Sequence, residues 1–143
     1  MTDLRKMPGH LIRRLNQMSV AVFADRMSQA GVDLTPVQFA ALTHIRSHPG
    51  TDQASLARAI AYDKATMGGV VDRLCQKRLV RRDASETDRR ARALHLTGEG
   101  TKLLQSVQPL VETLQRDILA NLSDEEYAQI MGLLDKATRK DAP

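Results

Sequence analysis

The stretch "QASLARAIAYDKATMGGVVDRLCQ", residues 53–76, constrains this chain more than any other. It reads as two short helices, about 52–60 and about 64–78, joined by a tight turn at Ala61-Tyr62-Asp63. Thr51 or Asp52 caps the first, and Leu56 and Ile60 are its inward residues. Met67, Val71 and Leu74 share the inner face of the second. Helices this short are marginal alone in water, so the pair must be anchored to other elements as a helix-turn-helix. Thr66, Gly69 with Val70, and Arg73 lie on the outward face. Lys64 stands at the helix start, where the positive dipole end adds to its own charge. Each glycine of Gly68-Gly69 costs the helix about 1 kcal/mol relative to alanine. Close approach to a DNA backbone and close packing against a neighbouring helix are both sufficient reasons to keep them.

Next comes "LVRRDASETDRRARALHLT", which has no helical period. Leu79-Val80 and Ala93–Leu96 read as short strands around a polar turn, forming a small hairpin. Residues 81–92 hold five arginines. Scattered lysines would suffice for solubility; arginines crowded beside a helix-turn-helix point to phosphates, which they neutralise with release of counterions. In Asp88-Arg89-Arg90, the aspartate can hold one arginine while the other enters a minor groove, where the negative potential favours it. The combination is a winged helix-turn-helix. Its second helix fits a major groove about 12 Å wide, and its hairpin reaches the backbone and the adjoining minor groove.

The flanking sequence is helical. Leu11/Ile12, Leu15, Met18/Ser19, Val22/Phe23 and Met27 recur at helical spacing from Pro8-Gly9 to about Gln29, with Gly31 as the stop. Thr35-Pro36-Val37-Gln38 is a capping box with proline at the first helical position. Phe39, Leu42 and Ile45/Arg46 follow before Pro49-Gly50 ends that helix. Thr97 caps a long helix to about Asn121. Its apolar residues fall in two rows, Leu103, Val107, Leu110, Leu114 and Leu104, Val111, Ile118, so it needs two surfaces to pack against. Pro109 predicts a kink. Ser123-Asp124-Glu125-Glu126 opens a last helix with Tyr127, Ile130/Met131 and Leu134 inward.

Charge and composition narrow the function. The net charge is +4, but residues 1–100 carry +6 and residues 101–143 carry −2, which places the anionic partner on the first two thirds. One cysteine, Cys75, excludes an internal disulfide framework, and no signal peptide or long apolar run appears, so a cytoplasmic protein with no membrane role is expected. No Gly-rich phosphate loop, nucleophile–base pair or metal motif is present, so neither an enzyme nor a cofactor is expected. His44 and His48 are four apart without a cysteine or carboxylate partner, which argues against zinc. Cys75 is expected to be a buried structural thiol rather than a redox switch.

"LTPVQFAALTHI", "DQASLARAIAYDKATMGGVVDRLCQKRLVRR" and above all "DASETDRRARALHLTGEG" resemble the MarR-type transcriptional regulators, over nearly the whole chain. The resemblance implies a mainly α protein with a small β-hairpin wing. Residues 35–97 would form the DNA-binding lobe, and residues 1–30 and 98–143 the helices that interlock in a homodimer. It implies operator binding with two-fold symmetry, with Arg90 as the minor-groove arginine and Asp88 and Arg89 bracing the tip. Many members carry a larger polar residue where Gly69 stands, which shifts weight from base readout to shape readout. Members usually lose DNA affinity on binding a small, often aromatic, anionic ligand between the dimerisation helices and the DNA-binding lobe.

In "PGHLIRRLNQMSVAVF", His10, Arg13, Arg14 and Gln17 give the first helix a cationic stripe. An arginine near an apolar wall suits a carboxylate, because its fork matches two oxygens; a solvated face or an intersubunit ion pair uses the same stripe. The pattern "PGHLIRRL…TPVQFAAL" resembles regulators of aromatic-acid catabolism. It implies an effector such as 6-hydroxynicotinate or a hydroxycinnamoyl derivative, held by His10, Arg13 and Arg14, with Gln38 and Phe39 on the facing helix. The competing expectation is a non-sensing architectural DNA binder built on the same winged helix.

Overall fold

The helices of the computed structural model, which describes residues 1–84 and 92–139, mostly begin where a short polar side chain takes up free amides. A 3-10 turn at Leu4–Lys6 is followed by α1 (Pro8–Gln29), α2 (Pro36–Ser47), α3 (Gln53–Ala59) and α4 (Lys64–Gln76). Strands β1 (Val80–Ala84) and β2 (Arg92–Leu96) come next, then α5 (Gly98–Ile118) and α6 (Asp124–Thr138). The predicted capping boxes are both present. Thr35 Oγ1 accepts from the Gln38 amide at 3.2 Å while Gln38 Oε1 accepts from the Thr35 amide at 3.3 Å. Ser123 and Glu126 repeat the exchange at 3.2 and 2.9 Å. Asp52, rather than Thr51, caps α3, accepting from the Ser55 amide at 2.7 Å.

Three helices end in the same way, with a left-handed residue whose own amide and the one after it reach back to the last turn. After α1 this is Gly31, at φ +68°, with Val32 N–H donating to the Met27 carbonyl. After α3 it is Ala61, at φ +61°, with Tyr62 N–H donating to Ala57. After α4 it is Arg78, at φ +62°, with Leu79 N–H donating to Leu74. Only the first uses glycine; the second falls in the turn expected at Ala61-Tyr62-Asp63, and the third has no mark in the sequence. The second helix of the pair accordingly stops at Gln76, two residues short of the expected end.

The hairpin pairs antiparallel, from Val80 opposite Leu96 to Ala84 opposite Arg92. Thr51 bridges Leu94 on the far side of β2, a contact no pattern in the sequence announces. One core joins these elements: Phe23 and Met27 of α1, Ala41, Leu42 and Ile45 of α2, Leu56 of α3, Met67, Val71 and Leu74 of α4, and Leu94 of the hairpin. From α5, Leu104, Val107, Val111 and Leu114 are buried, while Leu103, Leu110 and Ile118 are half-buried. This corrects the two expected rows to one stripe with flanks. Pro109 lies inside α5, which stays helical on both sides of it. A second correction concerns α6, which has no buried residue; Met131 and Leu134 remain 46% and 37% exposed, because no element among the described residues covers that face.

The joint between the hairpin lobe and α5 is tight. Thr97 Oγ1 donates to the Arg78 carbonyl at 2.7 Å and accepts from the Gly100 amide at 3.0 Å, and Thr97 N–H donates to the Leu79 carbonyl at 3.0 Å. Gly100 is buried against that same Leu79 carbonyl, where a Cβ would collide with backbone that cannot yield. Gly69 has open space where its Cβ would stand. Gly100→Ala is therefore expected to lose about 1–3 kcal/mol of stability. Gly69→Ala is expected to gain up to about 1 kcal/mol from helix propensity. Thermal unfolding followed by circular dichroism checks both; equal melting temperatures for the two variants would contradict this reading.

Candidate nucleic-acid interface and effector cleft

The inner face of α4 is fixed by Met67, Val71 and Leu74, all fully buried. Helical geometry then turns Thr66, Gly69 and Arg73 outward, and all three are exposed, as is Lys64 in the first turn. The sequence-predicted reading face is thus assembled on one side of one helix. Gly68 packs closely on α3, where a Cβ would meet Gln53 Nε2 at 3.2 Å, whereas Gly69 stands on the open face.

The start of α4 is held by its cap. Asp63 Oδ1 accepts from the Thr66 amide at 2.7 Å, and Asp63 Oδ2 accepts from the Thr66 hydroxyl at 2.7 Å. The backbone and side-chain bonds from Thr66 hold the Asp63 carboxyl below its ordinary 3.8. At the other end, Lys77 Nζ donates to the Asp33 carbonyl at 2.7 Å and to Gln38 Oε1 at 3.0 Å, with Asp33 Oδ2 at 3.3 Å. The ammonium thereby ties α4 to the α1–α2 corner. Arg82 of β1 reaches Asp72 of α4 at 2.6 Å, which links hairpin and helix. Lys77, Asp33, Asp72 and Arg82 were not singled out in the sequence, because their pairing spans elements. Asp88, Arg89 and Arg90 lie outside the described residues.

Of the expected effector residues, Phe39 is the one that lines the cleft between α2 and α5. This cleft, of about 380 Å³, lies between α2 and α5 and is lined by Phe39, Thr43 and Arg46 on one side and Gln108, Val111, Glu112 and Gln115 on the other. Arg46 Nη1 donates to Gln108 Oε1 at 2.8 Å, and Gln108 Nε2 donates to Glu112 Oε1 at 3.1 Å. Phe39 leans on Phe23, with ring centroids 6.3 Å apart. Gln38 is buried, and its amide oxygen serves Thr35 and Lys77. Its place in the cap comes from its position three residues after Thr35, and that geometry turns it away from the cleft. His10 is half-buried and Arg13 and Arg14 are exposed on α1, and none of them lines this cleft. Arg46 is the cation that sequence reasoning missed. Its signal was its spacing, since Phe39, Thr43 and Arg46 fall at i, i+4 and i+7.

A second groove, also about 380 Å³, runs between α1 (Ile12, Leu15), the end of α5 (Ile118) and α6 (Tyr127, Met131, Leu134). His44 and His48 stack at 4.2 Å, and no group of three metal-ligating side chains occurs among the described residues. Cys75 is half-buried against the core. No helix of the described residues is long and apolar enough to cross a membrane.

A helix pair with an exposed reading face, followed by a two-stranded hairpin clamped to it, defines a winged helix-turn-helix protein. Residues 32–91 match the model of the MarR family. The HTH-type transcriptional repressor NicR of Pseudomonas putida is 32% identical over 139 residues, covering 97% of this chain and 87% of the relative. BpsR of Bordetella bronchiseptica, whose structure concerns regulation of its DNA binding by 6-hydroxynicotinic acid, superposes with a TM-score of 0.89 at 29% identity, covering 99% of each chain. A mutant MarR of Escherichia coli complexed with operator DNA gives 0.82 at 27% identity, covering 92% of this chain and 93% of that one. The chain belongs to the MarR family of transcriptional regulators.

Burial, and then the neighbouring His48, lower the pKa of His44 below 6.5, so folding favours its neutral form. The stability that this contributes is complete above 6.5 and is lost as pH falls through that value toward the folded one. Urea unfolding between about pH 7.5 and 5.5 should show declining stability, with a shallower decline in His44→Gln. Identical slopes for the two proteins would remove His44 as the cause.

Proposed function

We propose that this protein is a repressor that binds a pseudopalindromic operator as a homodimer and is released by a small aromatic anion. The observation that carries the reading is the outward face of α4, with Lys64, Thr66, Gly69 and Arg73 exposed opposite a fully buried apolar face and beside a basic hairpin. Residues 35–97 serve as the DNA-binding lobe, with Arg89 and Arg90, steadied by Asp88, as the hairpin's contacts to the duplex. Residues 1–30 and 98–143 serve as the dimerisation helices. In support, Leu11, Ile12, Met18, Val20, Met131, Leu133 and Leu134 are exposed on α1 and α6, a concentration of apolar surface that suits a second copy of this chain. Two reading helices would then lie about one duplex turn apart, roughly 34–36 Å.

For the effector, we take Arg46 in place of His10, Arg13 and Arg14 as the carboxylate partner. Phe39 and Val111 would flank the aromatic ring, and 6-hydroxynicotinate or a hydroxycinnamate derivative is a fitting size and charge for the α2–α5 cleft. That cleft joins the lobe to the long helix, so filling it can change the spacing of the two reading helices.

Fluorescence anisotropy with the DNA upstream of its own gene tests the first part. Arg73→Ala, and separately Arg89→Ala with Arg90→Ala, should each weaken binding by about tenfold or more and reduce the salt slope by about one for every phosphate left without its arginine. Uniform coating of unrelated DNA would favour the architectural alternative instead. Calorimetry with 6-hydroxynicotinate and a hydroxycinnamate tests the second part. Arg46→Gln should lose about tenfold or more in affinity, whereas Arg14→Ala should not; the opposite pattern returns the site to α1.

A further inference from the structure

We propose that Asp63 and Thr66 form a base-reading pair that selects an exocyclic amine, of cytosine or adenine, in the major groove. The proposal rests on α4 being the DNA-reading helix. Thr66 gives both of its donors to Asp63, the backbone N–H to Oδ1 and the hydroxyl to Oδ2, each at 2.7 Å. A hydroxyl has one proton, so with that proton committed its oxygen offers lone pairs alone, as do the carboxylate oxygens. The pair therefore presents acceptors only, and it does so at the N-terminal end of α4, the end that meets base edges when a recognition helix docks.

That polarity discriminates sharply. A phosphate brings acceptors and negative charge and is repelled. Guanine O6 and N7 and thymine O4 are also acceptors and find no donor here. Cytosine N4 and adenine N6 are the major-groove groups with an N–H to give. Lys64, the next residue, offsets the repulsion between the Asp63 carboxylate and flanking phosphates. Of a phosphate and a base edge, the two groups an outward Thr66 can reach, the pair thus favours the base.

Tyr62 supplies an independent sign that this end of the helix is built to be covered. Beyond the N-terminal segment through α1 and the α6 face, Tyr62 is the one large apolar side chain exposed among the described residues, at 44%. It sits in the turn directly before Asp63, away from the apolar faces of α1 and α6. An aromatic ring there has a thymine methyl or a sugar edge to pack on when the duplex arrives.

Asp63→Asn is the decisive variant. Asparagine caps helices as well as aspartate does, so the helix start is kept. The amide nitrogen then donates to Thr66 Oγ1, the hydroxyl proton turns outward, and the pair becomes a donor. Binding-site selection from a randomised duplex library, followed by anisotropy on the enriched sites, reads the result. The wild type should enrich cytosine or adenine at one position per half-site and disfavour guanine or thymine there by about tenfold. Asp63→Asn should lose that preference or reverse it while leaving the other positions unchanged. Thr66→Val, which keeps the volume and removes the hydroxyl, should weaken the same position. An Asp63→Asn profile identical to wild type at every position overturns the proposal. A wild type that enriches no site overturns the DNA-reading role itself, and the two failures are distinguishable.

Discussion

Everything in this molecule depends on the attachment of α5 to the turn that follows α4. Thr97 donates its hydroxyl proton to the Arg78 carbonyl and its amide proton to the Leu79 carbonyl, and the missing side chain of Gly100 lets the long helix close on that same backbone. Hydrogen bonds to main-chain carbonyls fix position more narrowly than apolar contact does, because they demand both distance and direction. The end of the reading helix, the root of the hairpin and the beginning of α5 therefore move as one body. From there the stripe Leu104, Val107, Val111 and Leu114 carries the lobe's core along the long helix. The Arg46–Gln108–Glu112 chain crosses from α2 to α5 farther along the same helix. A ligand that entered there would act on a lever whose other end is already clamped.

The fold was legible wherever a local signal was complete in itself. Thr35 with Gln38 and Ser123 with Glu126 are reciprocal pairs three residues apart, and both appear where they were read. The inward trio of α4 was equally plain, because three residues at helical spacing leave one consistent face. What could not be read was the end formed by Arg78, since left-handed backbone at a residue other than glycine leaves no mark in composition. The orientation of α6 was misjudged for another reason. An apolar face shows that something must cover it, without saying whether the cover belongs to the same chain.

The candidate site divides along similar lines. Lys64, Thr66, Gly69 and Arg73 lie on one helix, so periodicity alone gathered them. The cleft draws its groups from α2 and α5, and the Arg46–Gln108 contact spans 62 positions, which no local pattern can express. Gln38 was drawn to the ligand by its place on α2, although its position in the capping box already committed its oxygen to Thr35. The cationic stripe of α1 was a true surface feature that the fold leaves outside the α2–α5 cleft.

The way α4 is attached has one more implication. Its bonds to the rest of the protein are made by its buried apolar trio, by the Asp63 cap at one end, by Lys77 at the other, and by the Asp72 ion pair to Arg82. Positions 65, 69 and 73 are exposed and take little part in that scaffolding. Sequence drift at those positions would alter what the helix recognises at little cost to the scaffold. A duplicated gene of this kind could thus acquire a new regulon through a handful of surface changes while inheriting the α2–α5 cleft intact.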